Sequence, residues 1–583
     1  MELLAEDINW LVKSYDPAAV QKIAEEANLP LPLAAILQQK GITDPKGIAD
    51  FLHPHLGRLP SPVVMNGMQP AVEIVAHAMS TDVPILVYGD YDVDGATGIA
   101  VIVLFLRQLG VQRIGWCQPH RLRNGYGLHE EVVLENLDKA GAKPGVLITV
   151  DCGITDHDQI ARLKGRGFKI IVTDHHQPQA NLPPAEAILN PLQPGCAFPG
   201  KSLAGVGVAF YFMMGLRAYL REKGFFAGPG DIPILKDYLD LVALGTIADM
   251  VPLEEVNRIL VKAGLEVMGE KKRPCFKALT ELHYGNCRLP VVPEDVSFRF
   301  APLLNAASRL GDGADALQFL ITEDEGEAGR LLRKLNETNL LRRKITSEVF
   351  AEAREKAAEL VEKGYKTIVL ASEQWHQGVI GIVASQLVNQ FHRPSIIFSV
   401  TNGIAKGSGR STPEIDLFEK MGECSQFYTQ FGGHRAAVGV TLAAEGLSRF
   451  QEQFERIVGQ AGGGQGPVAM EQIDWHSSEG SIFADNFLRY YQLLEPFGIG
   501  NPEPVFACTG AIRSSKKVGT GHLKFILQKN GWHMDGIGFN LGDKFDQLDS
   551  LNEYQIVFRL SQNTFQGKRS WQLNTLAINK ITI

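Results

Sequence analysis

The sequence predicts an α/β protein of several domains: two α/β bodies joined by a long helix around a cleft, and a small C-terminal β-barrel. Three observations carry this reading. From about Val83 to Leu260, the short apolar runs "PILVYGD", "GVLITVD", "FKIIVTD" and "AEAILNP" alternate with amphipathic stretches. That is the pattern of a largely parallel sheet with helices on both faces. Residues from about 327 to 363 keep a helical pattern without proline, with Leu331, Leu335, Ile345 and Val349 as its packed stripe, and such length suits a connector. A second α/β unit runs from "YKTIVLAS" through "RPSIIFSV" to about Gly459, and the glycine-rich "AGGGQGP" (461–467) reads as a linker. Closely spaced strands follow, with Asn530-Gly531 marking a hairpin turn.

At 583 residues the chain has room for about three or four domains. Its 45% hydrophobic and 21% charged residues are those of an ordinary globular protein. A net charge of -8 argues against coating a polyanion with the whole surface, but leaves room for a local basic groove. The acidic start "MELLAEDINW" lacks the features of a secretory signal, and the apolar runs fall short of the roughly 20 residues that span a bilayer. Seven cysteines without a C-x-x-C pair point to reduced thiols. The expectation is a cytoplasmic protein.

Chemistry concentrates where the apolar runs end. "YGDYDVDGATG" (88–98) places Asp90, Asp92 and Asp94 at alternate positions after the first run. The spacing imitates the start of an EF-hand loop, but Val101 stands where that loop needs its bidentate glutamate, and a strand-like run replaces the preceding helix. Later runs end in Asp151 ("LITVDCG") and in Asp174, His175 and His176 ("IIVTDHH"), while Asp249 follows an apolar helical stretch in "ALGTIADMVPL". Singly, each is an ordinary turn or cap residue. Together, on parallel strands ~4.8 Å apart, they converge on one crevice. Crowded carboxylates repel one another, and mixed carboxylate and imidazole donors without thiolates suit manganese or magnesium. Two such ions about 3.5 to 4 Å apart serve in-line displacement at phosphorus, so phosphoester hydrolysis is the predicted reaction. A phosphatase of the haloacid-dehalogenase type also opens with an Asp-x-Asp loop, but leaves Asp151 and the Asp-His-His run unexplained.

"DYDVDG", "VDCG", "TDHH" and "GTIADMVPL" stand in the order of the four motifs of the DHH phosphoesterase superfamily. Adding "PHRLRNGYGL" (119–128), "PLLNAASRLGD" (302–312), "LNETN" (335–339), "WHQGVIGIVASQL" (375–387), "GSGRS" (407–411), "QFGGHRAAVG" (430–439) and "EPFGIGNPEP" (495–504), the chain resembles the RecJ family of single-strand-specific DNA exonucleases. The likeness covers nearly everything from residue 80 onward. It departs at Ser308, where the family usually has glycine, and in the residues after His434.

The resemblance implies that Asp90, Asp92, Asp94, Asp151, His175 and Asp249 hold two Mn2+ or Mg2+ ions. It implies catalytic roles for His176, which orients a ligand or protonates the leaving group, for Asp174 as an imidazole's partner, and for Arg309, which steadies the scissile phosphate. Arg121, His376, Ser408, Arg410, Gly432, Gly433 and His434 would meet the nucleic-acid backbone and its 5′ end. The implied domains are an N-terminal segment (1–80) packing on the DHH domain (81–320), the connector (321–363), a DHHA1 domain (364–460), the linker (461–467) and an OB-fold (468–583). In the last, Lys516, Lys517, Lys524 and Trp532 would provide a basic track and a stacking platform. The implied function is a 5′-to-3′ exonuclease on single-stranded DNA, releasing nucleoside monophosphates in repair and recombination, with a single-strand-binding protein and a repair helicase as partners. The alternatives are a DHH phosphodiesterase or pyrophosphatase acting on small nucleotides or short oligonucleotides, and a noncatalytic DNA-binding relative. The intact ligand set argues against the latter.

Overall fold

The computed structural model describes residues 2–5, 8–285, 290–462, 471–477, 480–565 and 568–581, so most of the expected 461–467 linker lies outside the described residues. The chain forms two units, one of Leu59–Gly466 and one of Met1–Arg58 with Pro467–Ile583.

The larger unit opens with a five-stranded parallel sheet: β1 (Ile85–Gly89), β2 (Ile114–Cys117), β3 (Val146–Val150), β4 (Lys169–Thr173) and β5 (Ala187–Leu189), in the order 2-1-3-4-5. β1 and β3 are buried along their whole length, as expected of parallel strands covered on both faces. β2 escapes the sequence reading because "IGWC" is short, glycine-containing and only partly buried. Helices α1 (Val93–Gln108), α2 (Gly205–Glu222) and α3 (Leu239–Ala248) pack on one another, α1 also against β1. The strand order reverses between β1 and β3, and the C-terminal ends of strands at such a reversal are where open α/β sheets place their ligands.

Helix α4 (Ala301–Leu310) packs on α5 (Glu325–Glu362), the expected connector, which Asp324 caps by accepting the Glu327 N–H. Leu331, Leu335 and Val349 are buried on it, and Ile345 partly so. A second sheet follows: β6 (Ile368–Ser372), β7 (Ser395–Thr401), β8 (Ile404–Arg410), β9 (Tyr428–His434) and β10 (Ala437–Ala443), ordered 9-10-8-7-6, with α6 (Ile380–Phe391) against it.

The other unit contains a closed barrel of β11 (Phe506–Val518), β12 (His522–Lys529), β13 (Trp532–Gly538), β14 (Glu553–Phe565) and β15 (Lys568–Lys580), in which β11 pairs with both β12 and β14. Asn530 and Gly531 both take positive φ, 43° and 83°, as a type I′ turn requires. The expectation that residues 1–80 pack together on the metal-binding domain is corrected. Residues up to Arg58 fold with the barrel: Ile8–Val12 pairs in parallel with Glu471–Ile473, and Val20, Leu33, Leu37 and Leu52 share a core with Phe483, Phe506 and Phe558. A strand pairing across more than 450 positions leaves no local signature, which is why the sequence reading kept the segment with its neighbour. Among the described residues no helix is long and apolar enough to cross a membrane.

Candidate active site

The sheet ladder runs on past its strands. Asp90 N–H bonds to Val150 O, Asp151 N–H to Thr173 O and Asp174 N–H to Leu189 O, which ranks the three carboxylates side by side at the reversal point. Asp92 caps α1 by accepting the Gly95 N–H at 3.1 Å, and Asp94 occupies the first turn of the same helix. Asp249 ends α3 and faces the same space, its Oδ2 3.6 Å from His175 Nε2. That nitrogen also lies 3.1 Å from Asp151 Oδ1 and 3.9 Å from Asp94 Oδ2.

All six expected ligands are thereby brought together. Their donor atoms form overlapping groups, Asp90 with Asp92 and Asp151, Asp94 with His175 and Asp249, and Asp151 with His175 and His176, each within 4.8 Å. Burial and mutual repulsion set their protonation. Burial and the Asp92 charge push Asp90 upward and Asp94 to about 7, while burial and Asp94 push Asp151 upward and Asp249 to about 9. Burial and the neighbouring His176 push His175 down to about 4, so it stands neutral with a free lone pair, the form in which histidine binds metals. Four buried atoms here lack a hydrogen-bond partner: Asp90 Oδ1, Asp151 Oδ1, His175 Nε2 and Asp249 Oδ2. Buried polar atoms are rarely left so. A hard divalent cation fits this oxygen-rich, partly imidazole donor set, and it relieves the repulsion that protons otherwise relieve.

Asp174 stands against the neighbouring imidazole, as expected of an imidazole's partner. It is fully buried, and its Oδ1 accepts the His175 and His176 N–H groups at 2.7 and 3.1 Å and lies 2.8 Å from His176 Nδ1, while Oδ2 accepts Ile154 N–H at 3.0 Å. It positions His176 instead of touching a substrate. Although burial opposes ionisation, the bond and charge of His176 hold Asp174 below its ordinary range, and the same bond holds His176 above its own.

Arg309, on α4, reaches the loop before α6, donating to Gly378 O at 3.3 Å. Burial and the charges of Arg121, Arg342 and Arg410 push it down to about 9, so it keeps its charge at neutral pH. Arg121 lies 4.9 Å above the Tyr91 ring. Ser408 and Arg410 alternate on β8 and share a face, with Arg410 donating to Ser408 Oγ at 3.1 Å and to Gly409 O at 2.7 Å. A Cβ on Gly381, at the start of α6, would stand 2.9 Å from Ser408 Oγ and 3.3 Å from Arg410 Nη2. A helix N-terminus and a guanidinium therefore converge. His376 uses Nδ1 to accept Gly378 N–H at 3.0 Å. Gly432, Gly433 and His434 lie on β9, the sheet's edge strand, and burial together with the charges of Arg410 and His176 lowers His434.

In the barrel, Lys516 and Lys524 stand directly opposite each other on adjacent strands. Lys517 points to the other side of β11 and pairs with Asp546 at 3.0 Å, which takes it out of that basic face. Trp532 is exposed at the hairpin, whereas Phe525 is buried in the barrel core. Sequence reasoning missed Tyr126, Gly205 and Gly245. Tyr126 sits in the quoted "GYGL", but an isolated tyrosine or glycine carries no chemical signal until its neighbours are known.

Family models match the DHH family, N-terminal domain, at residues 84–246, the DHHA1 domain at 364–460 and the RecJ OB domain at 476–576. The chain is 38% identical over 533 residues to the single-stranded-DNA-specific exonuclease RecJ of Dickeya dadantii (strain 3937), covering 88% of this chain and 90% of that relative. The crystal structure of RecJ in complex with Mn2+ from Thermus thermophilus matches with a TM-score of 0.80 at 30% identity, covering 100% of this chain and 81% of that one. The Mg2+ complex from the same source matches with a TM-score of 0.74 at 27% identity, covering 99% and 79%.

Proposed function

Because the chain belongs to the RecJ family of single-stranded-DNA-specific exonucleases, we propose that it removes nucleoside 5′-monophosphates successively from the 5′ end of single-stranded DNA. It is a metal-dependent exonuclease, and its metal is Mn2+ or Mg2+. The observation that carries this reading is the set of unpartnered buried donors on Asp90, Asp151, His175 and Asp249 at the reversal point of the sheet. A noncatalytic relative would have no use for it.

Asp90, Asp92, Asp94, Asp151, His175 and Asp249 would hold two ions. Bound there, they supply Lewis-acid activation of water and neutralise charge at the scissile phosphate. Arg309 adds a fixed positive charge from a buried position, where it acts more strongly than in water. Asp174 holds His176 with a proton on Nδ1, leaving Nε2 to serve the departing 3′ oxygen. Ser408, Arg410 and the N-terminus of α6 form a cradle for the terminal 5′ phosphate, with Arg121, His376 and the β9 residues along the backbone behind it. Lys516, Lys524 and Trp532 give the barrel a surface for backbone and base contacts with single strands. A cytoplasmic role in repair and recombination, with a single-strand-binding protein and a helicase as partners, completes the reading. The small-nucleotide alternative is less favoured, since the likeness to the exonucleases extends through the barrel.

The test is product identity. Single strands labelled at the 5′ or the 3′ end are incubated with Mn2+, and the first product is identified. A labelled 5′-mononucleotide appearing first only from the 5′-labelled strand supports the reading; early release from the 3′ end refutes it.

A further inference from the structure

Tyr126 lies in the loop that follows β2. Its hydroxyl stands 3.2 Å from the Asp151 carbonyl oxygen, to which it donates, and 3.0 Å from His176 Nδ1. The two rings lie 5.3 Å apart at their centroids. Since Asp174 already accepts three backbone N–H groups, it is a carboxylate, and the proton it shares with His176 sits on Nδ1. Tyr126 Oη therefore accepts from that same N–H while donating to Asp151. Asp151 itself takes φ +61°, a left-handed conformation uncommon for a residue with a side chain. One hydroxyl thus ties the unusual peptide of an expected metal ligand to the plane of the neighbouring imidazole.

The loop does not need this hydroxyl to keep its shape. Tyr88 Oη donates to Gly127 O at 2.8 Å and accepts His129 N–H at 3.2 Å, Leu128 N–H donates to Asp156 Oδ2 at 2.9 Å, and Gln118 Nε2 donates to Asp90 O at 2.6 Å. Tyr126 is 45% exposed, more than an anchor of the core would be.

We infer that Tyr126 is a positioning residue for leaving-group protonation: with Asp174 it fixes the tautomer and plane of His176, so that Nε2 presents its proton to the departing oxygen. This rests on the reading of His176 given above. In the step, the water oxygen bonds to phosphorus and the bond from phosphorus to the 3′ oxygen breaks with its electron pair remaining on that oxygen. The His176 Nε2 proton moves to it, and the proton lost by water passes to solvent.

The test compares Tyr126→Phe, His176→Ala and the double variant on two oligonucleotides, one normal and one with sulfur replacing the 3′-bridging oxygen of the first linkage, a leaving group that needs no proton. General acid catalysis contributes about 100- to 10,000-fold, so misorientation in Tyr126→Phe should lower kcat on the oxygen substrate roughly 10- to 100-fold. KM should hold, turnover of the sulfur substrate should stay near wild type, and no further loss should follow in the His176→Ala background. Mn2+ binding, followed by electron paramagnetic resonance, should be unchanged. Unaltered kcat, equal losses on both substrates, or additive losses in the double variant would overturn the role of Tyr126. His176→Ala with wild-type turnover of the oxygen substrate would instead remove the underlying reading of His176.

Discussion

Asp94 and Gly205 meet at the N-terminus of α2, where Gly205 N–H donates to Asp94 Oδ2 at 2.6 Å and Val206 N–H donates to Oδ1 at 2.9 Å. A helix N-terminus favours a carboxylate through its open N–H groups and its dipole. Here it aims an expected metal ligand. The approach leaves no room for a side chain, since a Cβ on Gly205 would stand 2.7 Å from Asp151 Cβ, and one on Gly245 would stand 3.0 Å from Asp94 Oδ1.

Gly205→Ala should therefore displace Asp151 or α2. Overpacking of this kind costs about 1 to 3 kcal/mol. The variant should melt earlier and bind Mn2+ more weakly, with a matching loss of turnover. Gly329→Ala, in the second turn of α5 with only the far end of Arg333 within 4 Å, should instead stabilise by about 0.5 to 1 kcal/mol. Thermal melts and Mn2+ titrations of the two variants check this. Wild-type Mn2+ affinity in Gly205→Ala would show that the site tolerates the extra methyl.

Asp249→Asn separates stability from function. Burial and the Asp94 and Asp92 charges oppose ionisation of this carboxyl. In the metal-free protein at neutral pH this carboxyl is kept protonated at a cost in stability that an amide does not carry, so Asp249→Asn should raise the melting temperature, by about 1 °C for each kcal/mol of that cost in a unit of this size. The stabilisation that Mn2+ gives the wild type should shrink, because binding energy adds to stability only while the site binds. Turnover should fall by orders of magnitude, as in Asp92→Ala and His175→Ala. Melts with and without Mn2+ decide it, and a lower metal-free melting temperature for Asp249→Asn would contradict the claim that this carboxyl is held protonated at a cost.

How much of this was legible in the sequence depends on how local each feature is. Asp90, Asp151 and Asp174 could be found because each ends a run of apolar residues, and a parallel sheet places such ends in one row. Asp92, Asp94 and His175 follow directly on those ends, while Asp249 reaches the same space from the end of helix α3. The role of Asp174 as an imidazole's partner came from the resemblance and not from the pattern of runs, which places a carboxylate at a strand end without saying which way it turns. Tyr126 and Gly205 matter through partners about 25 and 111 positions away, and no periodicity announces such contacts. The N-terminal segment was misplaced for the same reason, its partner strand lying at the other end of the chain.

Arg410→Ala should erase most of the preference for a 5′-phosphorylated over a 5′-hydroxyl strand. The residue donates to Ser408 Oγ and lies beside the start of α6, a geometry suited to grip a terminal phosphate. Charge-assisted bonds of this kind are worth roughly 1.5 to 3 kcal/mol, or about one to two orders of magnitude in kcat/KM. Arg410→Lys should recover only part, because an ammonium lacks the planar fork. The ratio of kcat/KM for the two substrates measures this, and an unchanged ratio in Arg410→Ala would move recognition of the end elsewhere, first to Arg121.

Removal of the barrel should weaken binding to long single strands far more than it slows cleavage of short ones, but a cut within the linker alone is the wrong experiment. It would strip Val20, Leu33, Leu37 and Leu52 of the core they share with Phe483, Phe506 and Phe558, and expose that apolar surface to aggregation. The informative piece is residues 59–462, which omits both parts of the smaller unit and keeps every expected metal ligand. It should retain kcat on short oligonucleotides within a few-fold of the full chain. In the full chain, Lys516→Ala with Lys524→Ala gives the finer test, since the two ammonium groups face each other across β11 and β12. Each lost phosphate contact on a single strand should reduce the slope of log affinity against log salt by about 0.7. Trp532→Ala should remove stacking worth about 1 to 3 kcal/mol with little change in that slope. Equal long-strand affinity for residues 59–462 and the full chain at matched salt would mean that the barrel serves structure alone.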